Sequence, residues 1–237
     1  MQLVQMRREM RSIINLPYVI ELPEKESEIK NSLERKLSQY EECVGKFRVS
    51  LAGQCFQKRV WVKQGIPFSN PSSPKTMRVF EVGKILHEYL QNFLDEQGLL
   101  VLKEFELEDA KRIGHLDAVI WDGKQSILYD FKTVSSSKFP YLTGVSIFHV
   151  FQVVTYYEML KSVLDFEVDS VRIIYISKDD LDMKEYEIDT KQWHEAVHRD
   201  WFELYEFENG ALKNFPRFPW ECVNCVYRDL CIENMQK

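Results

Sequence analysis

Apolar and polar positions in the first hundred residues recur with the period of an α-helix. This spacing predicts helices over 1–16, 24–44, 49–64 and 78–97. The stretch 65–75 is rich in Pro and Ser and is predicted to be a loop between the last two of these helices. The first part of the chain is therefore predicted to be mostly helical.

The period changes to that of a β-strand after residue 99. Strands are predicted over 100–107, 113–121 and 126–134, and the dipeptide Asp122-Gly123 predicts a tight turn between the second and the third. The pattern then predicts, in order, a helix over 145–164, strands over 170–177 and 184–189, and a helix over 191–207. Such an order is typical of an α/β fold in which helices flank a mixed β-sheet.

The composition is that of a globular protein. Of the 237 residues, 45% are apolar and 29% are charged, which suits one domain with its own hydrophobic core. No uninterrupted apolar run reaches the roughly 18 residues that a membrane span needs, so no span is expected. The first residues, MQLVQMRREMRS, lack a signal-peptide pattern, and a cytoplasmic location with reduced thiols is expected.

The charge is unevenly distributed along the chain. The whole chain carries −6, yet residues 43–80 contain seven cations and no acidic residue, which gives this segment +7. Such a segment could attract the phosphates of a nucleic acid, and a solvated basic surface without a partner explains the charge equally well. The seven cations are Lys46, Arg48, Lys58, Arg59, Lys63, Lys75 and Arg78.

Charged side chains interrupt two of the predicted strands. Asp117 lies in the second strand, and Asp130 and Lys132 lie in the third, in the sequence YDFKTV. Residues i and i+2 of a strand share a face, so Asp130 and Lys132 point the same way while Phe131 points into the core. A divalent cation held by two carboxylates beside a lysine could polarise a phosphoryl oxygen and activate a water. The simpler alternative is an exposed strand face with one Asp–Lys ion pair.

Two predicted helices contribute further polar candidates. His87 lies among leucines in the helix before the sheet, where a hydrogen-bonded core histidine is the plain interpretation. An imidazole beside two carboxylates would, however, make a site suited to Mn²⁺ or Mg²⁺. Gln152 and Tyr156 are spaced i, i+4 on an otherwise apolar helix, so they share one face and could hold a phosphate or orient the lysine.

These residues form an ordered series of four motifs. The motifs are G-x3-H-E (Gly83, His87, Glu88), G-x-x-D (Gly114, Asp117), D-x-K (Asp130, Lys132) and Q-x3-Y (Gln152, Tyr156). In this order they resemble the RecB-like branch of the PD-(D/E)XK nuclease superfamily, over about residues 45–235. The resemblance implies a restriction-endonuclease-like core, with a mixed β-sheet flanked by helices.

The same resemblance implies a role for each motif residue. Lys132 would be the catalytic lysine, Gln152 and Tyr156 would support the site and the DNA, and Glu88 would lie behind the metal ligands. The ligands of the catalytic Mn²⁺ or Mg²⁺ would be His87, Asp117, Asp130 and, through its backbone carbonyl, Phe131.

Three of the five cysteines, Cys222, Cys225 and Cys231, form the pattern C-x2-C-x5-C. In a reducing compartment this spacing indicates a metal site, whose fourth ligand is better supplied by Cys55 than by Cys43. Spacing alone allows zinc or an iron–sulfur cluster. The nucleases resembled place one cysteine before the core and three near the C-terminus, which implies a structural [4Fe–4S] cluster joining the N-terminal helices to the C-terminal tail. Cys43 would then be a small buried residue.

Four segments follow from these assignments. They are a helical N-terminal extension (1–44), a basic DNA-binding and cluster segment (45–80), a RecB-like nuclease core (81–210) and a cysteine-rich C-terminal segment (211–237).

The activity that the resemblance implies is metal-dependent hydrolysis of DNA by an exonuclease. Three aromatic residues, Phe56, Trp61 and Phe68, alternate with the basic residues. They could stack unpaired bases, which favours single-stranded DNA ends as the substrate. Packing in the core is the commoner role of aromatic residues. Asp130 stands where many CRISPR-associated members carry Glu, so CRISPR adaptation and DNA recombination or repair, with their respective proteins as partners, both stay open. The alternative is a non-catalytic DNA-binding or scaffold subunit stabilised by an iron–sulfur or zinc site. The oligomeric state is not predicted.

Overall fold

The computed structural model describes three stretches of the chain, residues 28–37, 45–211 and 218–235. The chain divides into a unit that ends at Gln39 and a larger unit that begins at Tyr40. The larger unit contains the β-sheet and every residue of the four motifs.

The first unit contributes one described helix, α1 (Glu28–Leu37). The carboxylate of Glu28 accepts hydrogen bonds from the Ser32 hydroxyl and the Arg35 guanidinium, which lie one and two turns further along the helix. This helix falls within the predicted helix over 24–44. The predicted helix over 1–16 lies outside the described residues.

The described part of the larger unit contains six strands and five α-helices. The strands are β1 (Phe47–Arg48), β2 (Leu100–Glu108), β3 (Arg112–Trp121), β4 (Ser126–Val134), β5 (Ser170–Ser177) and β6 (Met183–Glu187). The helices are α2 (Phe56–Lys63), α3 (Pro74–Glu96), α4 (Ile147–Leu164), α5 (Thr190–Glu208) and α6 (Arg228–Met235). The predicted bounds are confirmed to within two residues for β2 to β6, α4 and α5. The predicted α/β class with a mixed sheet is therefore confirmed.

The predicted helix over 49–64 is wrong in its first part. The chain forms a 3-10 turn at Val49–Leu51 and then bends at Gly53, so that α2 begins only at Phe56. Gly53 has a φ of +75°, a left-handed conformation that glycine adopts without steric cost. Its backbone amide donates to the Asp200 carboxylate at 3.1 Å, which fixes the bend against α5.

Helix α3 begins earlier than predicted. The Ser73 hydroxyl caps it by accepting a hydrogen bond from the Thr76 backbone amide at 3.2 Å, and Pro74 occupies the first turn. Proline is favoured there because its missing N–H would be unpaired in any case. The predicted loop over 65–75 therefore ends at Ser73.

Strand β3 pairs with three other strands of the six-stranded mixed sheet that the described residues form. Strand β2 pairs antiparallel with residues 113–120 along one edge of β3. On the opposite edge, β4 pairs antiparallel with residues 118–121, and β1 pairs in parallel with residues 112–113. Residues 114–117 therefore face a gap between β1 and β4. Beyond β4, the sheet continues with β5, which is parallel to β4, and with β6, which is antiparallel to β5.

Helices cover both faces of the sheet. Helix α3 packs on one face, α4 packs on the other, and α5 packs on the outer side of α4. The core residues on the α3 face are Ala118, Ile120, Ile127, Phe131 and Ile176. Phe131 is 3% exposed, so the prediction that it points into the core is confirmed. Among the described helices, none has the length and apolar character to cross a bilayer.

The hairpin between β3 and β4 turns where the sequence predicts it. Both the Lys124 and the Gln125 backbone amides donate to the Asp122 carboxylate at 2.9 Å, and Gly123 adopts a φ of +93°. This turn fixes the register in which Ala118 of β3 lies opposite Tyr129 of β4. The register in turn places Asp117 and Asp130 next to each other at the gap.

Candidate metal centre

Asp117 replaces a backbone acceptor at the point where β3 and β4 separate. Its Oδ2 accepts a hydrogen bond from the Phe131 backbone amide at 2.6 Å, two residues beyond Tyr129, which with Ala118 forms the last pair between these strands. The N–H and C=O of one strand residue point to the same side of the strand, so the Phe131 carbonyl also faces this gap. The predicted carbonyl ligand is therefore directed toward the carboxylate of Asp117.

His87 reaches the same point from α3. Its Nδ1 lies 3.5 Å from Asp117 Oδ1, and its ring meets the Phe131 ring edge-on with centroids 5.8 Å apart. Gly83, one turn earlier, allows this approach, because a Cβ at this position would lie 3.0 Å from the Thr133 hydroxyl of β4. The glycine of the G-x3-H-E motif thus brings α3 close to the sheet. Glu88, the last residue of that motif, is exposed.

Asp130 and Lys132 share a face of β4, as predicted. The Lys132 ammonium lies 3.0 Å from Asp130 Oδ1, to which it donates a hydrogen bond, and 2.8 Å from Oδ2. The Oδ2 contact is close but lacks hydrogen-bond geometry, and within the described residues this buried oxygen has no hydrogen-bond partner. Asp130 is 1% exposed. A buried carboxylate oxygen without a hydrogen bond is costly, and a cation would offset that cost.

Burial and charge shift both members of this pair. Burial raises the pKa of Asp130, and the nearby Asp117 carboxylate raises it further, while the Lys132 ammonium opposes the shift. Burial alone would lower the pKa of Lys132, but the charges of Asp130 and Asp117 outweigh burial and raise it. Lys132 is therefore held protonated beside two carboxylates. This arrangement excludes the simpler alternative of an exposed ion pair, because both side chains are largely buried.

Glu104 is a site residue that the sequence prediction missed. Within the described residues, His87, Glu104 and Asp117 are the one group of three whose ligand atoms all lie within 4.8 Å of one another. The side-chain amide of Gln91, from α3, donates to Glu104 Oε1 at 2.8 Å and to the Asp117 backbone carbonyl at 2.9 Å. Glu104 lies in the run LVLKEFELED, where three glutamates stand close together, so the sequence offers no signal that separates it from its neighbours.

Tyr156 and Gln152 approach the carboxylates from α4. Tyr156 is 2% exposed, and the Gln152 side chain lies close enough to its hydroxyl to lower the pKa of Tyr156. Burial raises the pKa of Tyr156, and the charges of Asp130 and Asp117 add to the shift. A Cβ on Gly114 would come within 2.7 Å of the Tyr156 hydroxyl, so the glycine of the G-x-x-D motif makes room for this tyrosine. The Q-x3-Y pair is thus brought to the site, as predicted.

His149 and Tyr175 lie beside Lys132 on the same face of the sheet. His149 Nδ1 is 2.8 Å from the Tyr175 hydroxyl, which also accepts a hydrogen bond from the Ser146 backbone amide at 3.0 Å. Burial lowers the pKa of His149 to about 3, and the Lys132 charge contributes to the shift. The imidazole is therefore neutral at physiological pH.

The four cysteines that were predicted to form a second site lie near one another. The Cys225 charge raises the pKa of both Cys55 and Cys231, in each case after the larger effect of burial. Glu221 joins the tail to the start of α2, because its carboxylate accepts hydrogen bonds from the Cys55 and Phe218 backbone amides, both at 2.8 Å. Cys43 lies outside the described residues.

The basic segment is less available as a surface than its charge of +7 suggests. Arg59 is 1% exposed and forms a buried ion pair with Asp200 at 2.6 Å. Lys63 forms an ion pair with Glu208, and Lys46 lies 2.5 Å from Glu108. Acidic side chains therefore neutralise three of the seven cations.

The aromatic residues predicted to stack bases are packed within the protein. Phe56 packs against Phe207, with ring centroids 5.9 Å apart. Trp61 and Phe68 both contact Tyr227, each with ring centroids 5.2 Å apart. Tyr227 is fully buried and donates from its hydroxyl to the Ile66 carbonyl at 2.8 Å. Trp61 and Phe68 thus hold the cysteine-rich tail against α2 and the loop that follows it, and all three aromatic residues have the core-packing role.

Comparison with known proteins places this fold among solved structures. The protein SSO0001 superposes with a TM-score of 0.52 and 23% identity, covering 86% of this chain and 93% of its own. A candidate exonuclease from Eubacterium rectale superposes with a TM-score of 0.51 and 13% identity, covering 91% and 94%. An alkaline exonuclease from Laribacter hongkongensis reaches a TM-score of 0.36 at 10% identity, covering 76% and 97%, which is too distant to support an argument. No protein-family model and no curated protein matches the sequence. The first two likenesses show a shared fold, and the activity has to be argued from the site.

Proposed function

We propose that this protein is a metal-dependent nuclease of the PD-(D/E)XK type that hydrolyses phosphodiester bonds in DNA. The observation that carries the proposal is the meeting of His87, Asp117, Asp130 and Lys132 at one gap in the sheet, where a buried Asp130 oxygen lacks a hydrogen bond. The fold that the chain shares with a candidate exonuclease adds support. The ordered motifs, which resemble those of RecB-like nucleases, point the same way.

The donor set at the gap fits a divalent cation. His87, Asp117, Asp130 and the Phe131 carbonyl supply one imidazole nitrogen and several oxygens, a mixture that suits Mn²⁺ or Mg²⁺. When bound there, such a cation would polarise a phosphoryl oxygen and lower the pKa of a water.

Lys132 is the residue proposed to act on the phosphate directly. Asp130 and Asp117 keep its ammonium protonated, so it can hold a non-bridging oxygen and stabilise the negative charge that develops there. Tyr156 and Gln152, which approach the carboxylates from α4, are proposed to support the site and the DNA. The neutral His149 lies near Lys132 and adds no positive charge to compete with it.

A structural [4Fe–4S] cluster is proposed at Cys55, Cys222, Cys225 and Cys231. The placement of one cysteine before the core and three near the C-terminus, which resembles that of iron–sulfur nucleases, favours it over zinc. Burial lowers the pKa of Lys58, whereas the Cys225, Glu221 and Cys55 charges raise it, so this cation lies next to the thiolates. Protein purified without oxygen should be brown and contain about four iron atoms per chain. Colourless protein that carries zinc would reject the cluster and leave the nuclease proposal intact.

DNA ends, in particular single-stranded ends, are proposed as the substrate, in CRISPR adaptation or in recombination and repair. The test uses labelled linear and circular DNA, single- and double-stranded, with Mn²⁺ or Mg²⁺. We expect wild-type protein to digest linear single-stranded DNA and to leave circles intact, and we expect Asp130→Asn to abolish digestion. Glu195→Gln, which removes an exposed charge from α5, is the matched control and should digest normally.

The alternative function has a distinct outcome in the same assay. A non-catalytic DNA-binding or scaffold subunit would retain DNA in a mobility-shift experiment and digest none of the substrates. Wild-type protein that cuts no better than Asp130→Asn would reject the nuclease proposal. Cutting of circular DNA would keep the nuclease and reject the exonuclease assignment.

A further inference from the structure

We propose that Glu104 is a further side-chain ligand of the catalytic cation and that Gln91 positions it. This inference rests on the proposed function, because it concerns the same metal centre. It adds a third carboxylate to a donor set that the sequence motifs assign to His87, Asp117, Asp130 and the Phe131 carbonyl.

The sheet register places Glu104 at the site. Lys103 lies opposite Ala118 and Phe105 lies opposite Leu116, so Glu104 of β2 stands beside Asp117 of β3. The ligand atoms of Glu104, His87 and Asp117 lie within 4.8 Å of one another. Three elements, α3, β2 and β3, thus each contribute one donor to the same point.

The backbone at Glu104 is strained. Its φ is +42°, a left-handed value for a glutamate inside a β-strand. Such a conformation costs on the order of 1–3 kcal/mol and persists where the surroundings enforce it, most often at functional sites. The acidic neighbours on β2 are engaged elsewhere: Glu106 lies 3.2 Å from His115, and Glu108 pairs with Lys46. Glu104 is the acid of this strand that the backbone directs to the metal centre.

Gln91 explains how the strained residue is held. This side chain is 1% exposed, and its Nε2 donates both to Glu104 Oε1 and to the Asp117 backbone carbonyl. Burying a side-chain amide is favourable only when its hydrogen bonds are made. The Gln91 amide therefore holds its two acceptors, the Glu104 carboxylate and the Asp117 carbonyl, at a fixed distance from each other. Oε1 is occupied by this hydrogen bond, which leaves Oε2 to bind a cation.

An independent observation on β4 indicates that a cation belongs here. Asp130 is fully buried, and its Oδ2 has no hydrogen-bond partner within the described residues. In the register of the sheet, Asp117 stands beside Glu104 of β2 and beside Asp130 of β4, and the Lys132 ammonium contacts Asp130. Neighbouring carboxylates repel one another, and a divalent cation bound between them would remove the repulsion.

The test is a titration of the apo-protein with Mn²⁺, followed by electron paramagnetic resonance, in which bound and free Mn²⁺ differ in signal. We expect Glu104→Gln to weaken Mn²⁺ binding by at least about tenfold, as loss of a ligand or of its support commonly does. Glu106→Gln, on the same strand, should bind as wild type does. Gln91→Met keeps the size of the side chain and removes its hydrogen bonds, so it should also weaken Mn²⁺ binding. It should in addition change the spectrum of the bound Mn²⁺. If Gln91 had a purely structural role, that spectrum would stay the same.

The outcomes separate this inference from the proposed function. If wild type binds Mn²⁺ and digests DNA while Glu104→Gln binds Mn²⁺ equally tightly, the assignment of Glu104 is overturned and the nuclease stands. If wild type neither binds Mn²⁺ nor digests DNA, both fail. Circular dichroism shows whether each variant is folded. If Glu104→Gln does not fold, Glu104→Asp gives the same comparison, because its shorter side chain withdraws the carboxylate from the cation.

Discussion

The carboxylate of Asp117 accepts the backbone hydrogen bond of Phe131 that a neighbouring strand would otherwise accept. One side chain thereby performs two tasks. Its Oδ2 ends the pairing of β3 with β4, and its Oδ1 lies toward His87. The proposed metal centre therefore lies at the point at which the sheet opens, and this hydrogen bond helps to fix the position of Asp117 there.

These two tasks of Asp117 can be separated by substitution. Asp117→Asn keeps an oxygen that can accept from Phe131, so its thermal stability should lie close to that of wild type, while Mn²⁺ binding and DNA digestion should be lost. Asp117→Ala leaves the buried Phe131 amide without an acceptor and should cost a further 1–3 kcal/mol or so in the free energy of unfolding. Urea unfolding of the apo-proteins measures the difference. Equal stability of the two variants would show that the hydrogen bond contributes nothing.

Gly114 should tolerate no side chain. In Gly114→Ala the new Cβ would lie 2.7 Å from the Tyr156 hydroxyl and 2.9 Å from the Val49 Cβ, so a neighbour must move. Overpacking of this kind costs about 1–3 kcal/mol, and the displaced tyrosine should also slow DNA digestion. Gly144→Ala is the matched control, because nothing lies within 4 Å of a Cβ there. Wild-type stability and activity in Gly114→Ala would contradict the close approach.

His149 should make stability depend on pH. Burial lowers its pKa in the folded protein from 6.5 to about 3, so the unfolded chain binds a proton between these values and the folded protein does not. Its contribution to stability is therefore complete above pH 6.5 and is lost as the pH falls toward 3. Melting temperatures of wild type and His149→Gln should converge between pH 7 and pH 4, because acid destabilises wild type more. Parallel curves would contradict the lowered pKa.

The buried ion pair between Arg59 and Asp200 should be a main support of the cysteine-bearing region. The guanidinium is stacked over the Trp201 ring, 4.2 Å from its centroid, and the Asp200 carboxylate also fixes Gly53. Asp200→Ala leaves a buried cation without its carboxylate and should cost about 3–5 kcal/mol in the free energy of unfolding. Glu167→Ala removes one partner of the exposed pair with Lys161 and should change stability little. Chemical unfolding compares the two, and similar losses would contradict the account.

The sequence predicted those elements that are long and rich in apolar residues. Strands β2 to β5 and helices α4 and α5 are of this kind, and the Asp122-Gly123 turn determined which strands are adjacent. Strand β1 was missed because two residues are too few to show a period. The bend at Gly53 was missed because it depends on a hydrogen bond to Asp200, which lies 147 residues further along the chain.

The residues of the candidate site were likewise predicted only in part. His87, Asp117, Asp130 and Lys132 lie in recognisable motifs, and the structure brings them together. Glu104 lies in no motif, because its role depends on the register of β2 against β3 and on a backbone φ that no sequence pattern encodes. The seven basic residues of 43–80 were easy to count, but the pairing of three of them with acids from other elements could not be predicted from local charge.

The most direct test of the account is the position of the cation itself. Crystals grown with Mn²⁺ should show one strong anomalous scattering peak at the gap between β1 and β4, within bonding distance of His87, Asp117 and Asp130, with Lys132 beside it. The same data should place the peak within reach of Glu104. A well-ordered crystal saturated with Mn²⁺ that shows no peak at this gap, or a peak held by other residues, would contradict the central claim.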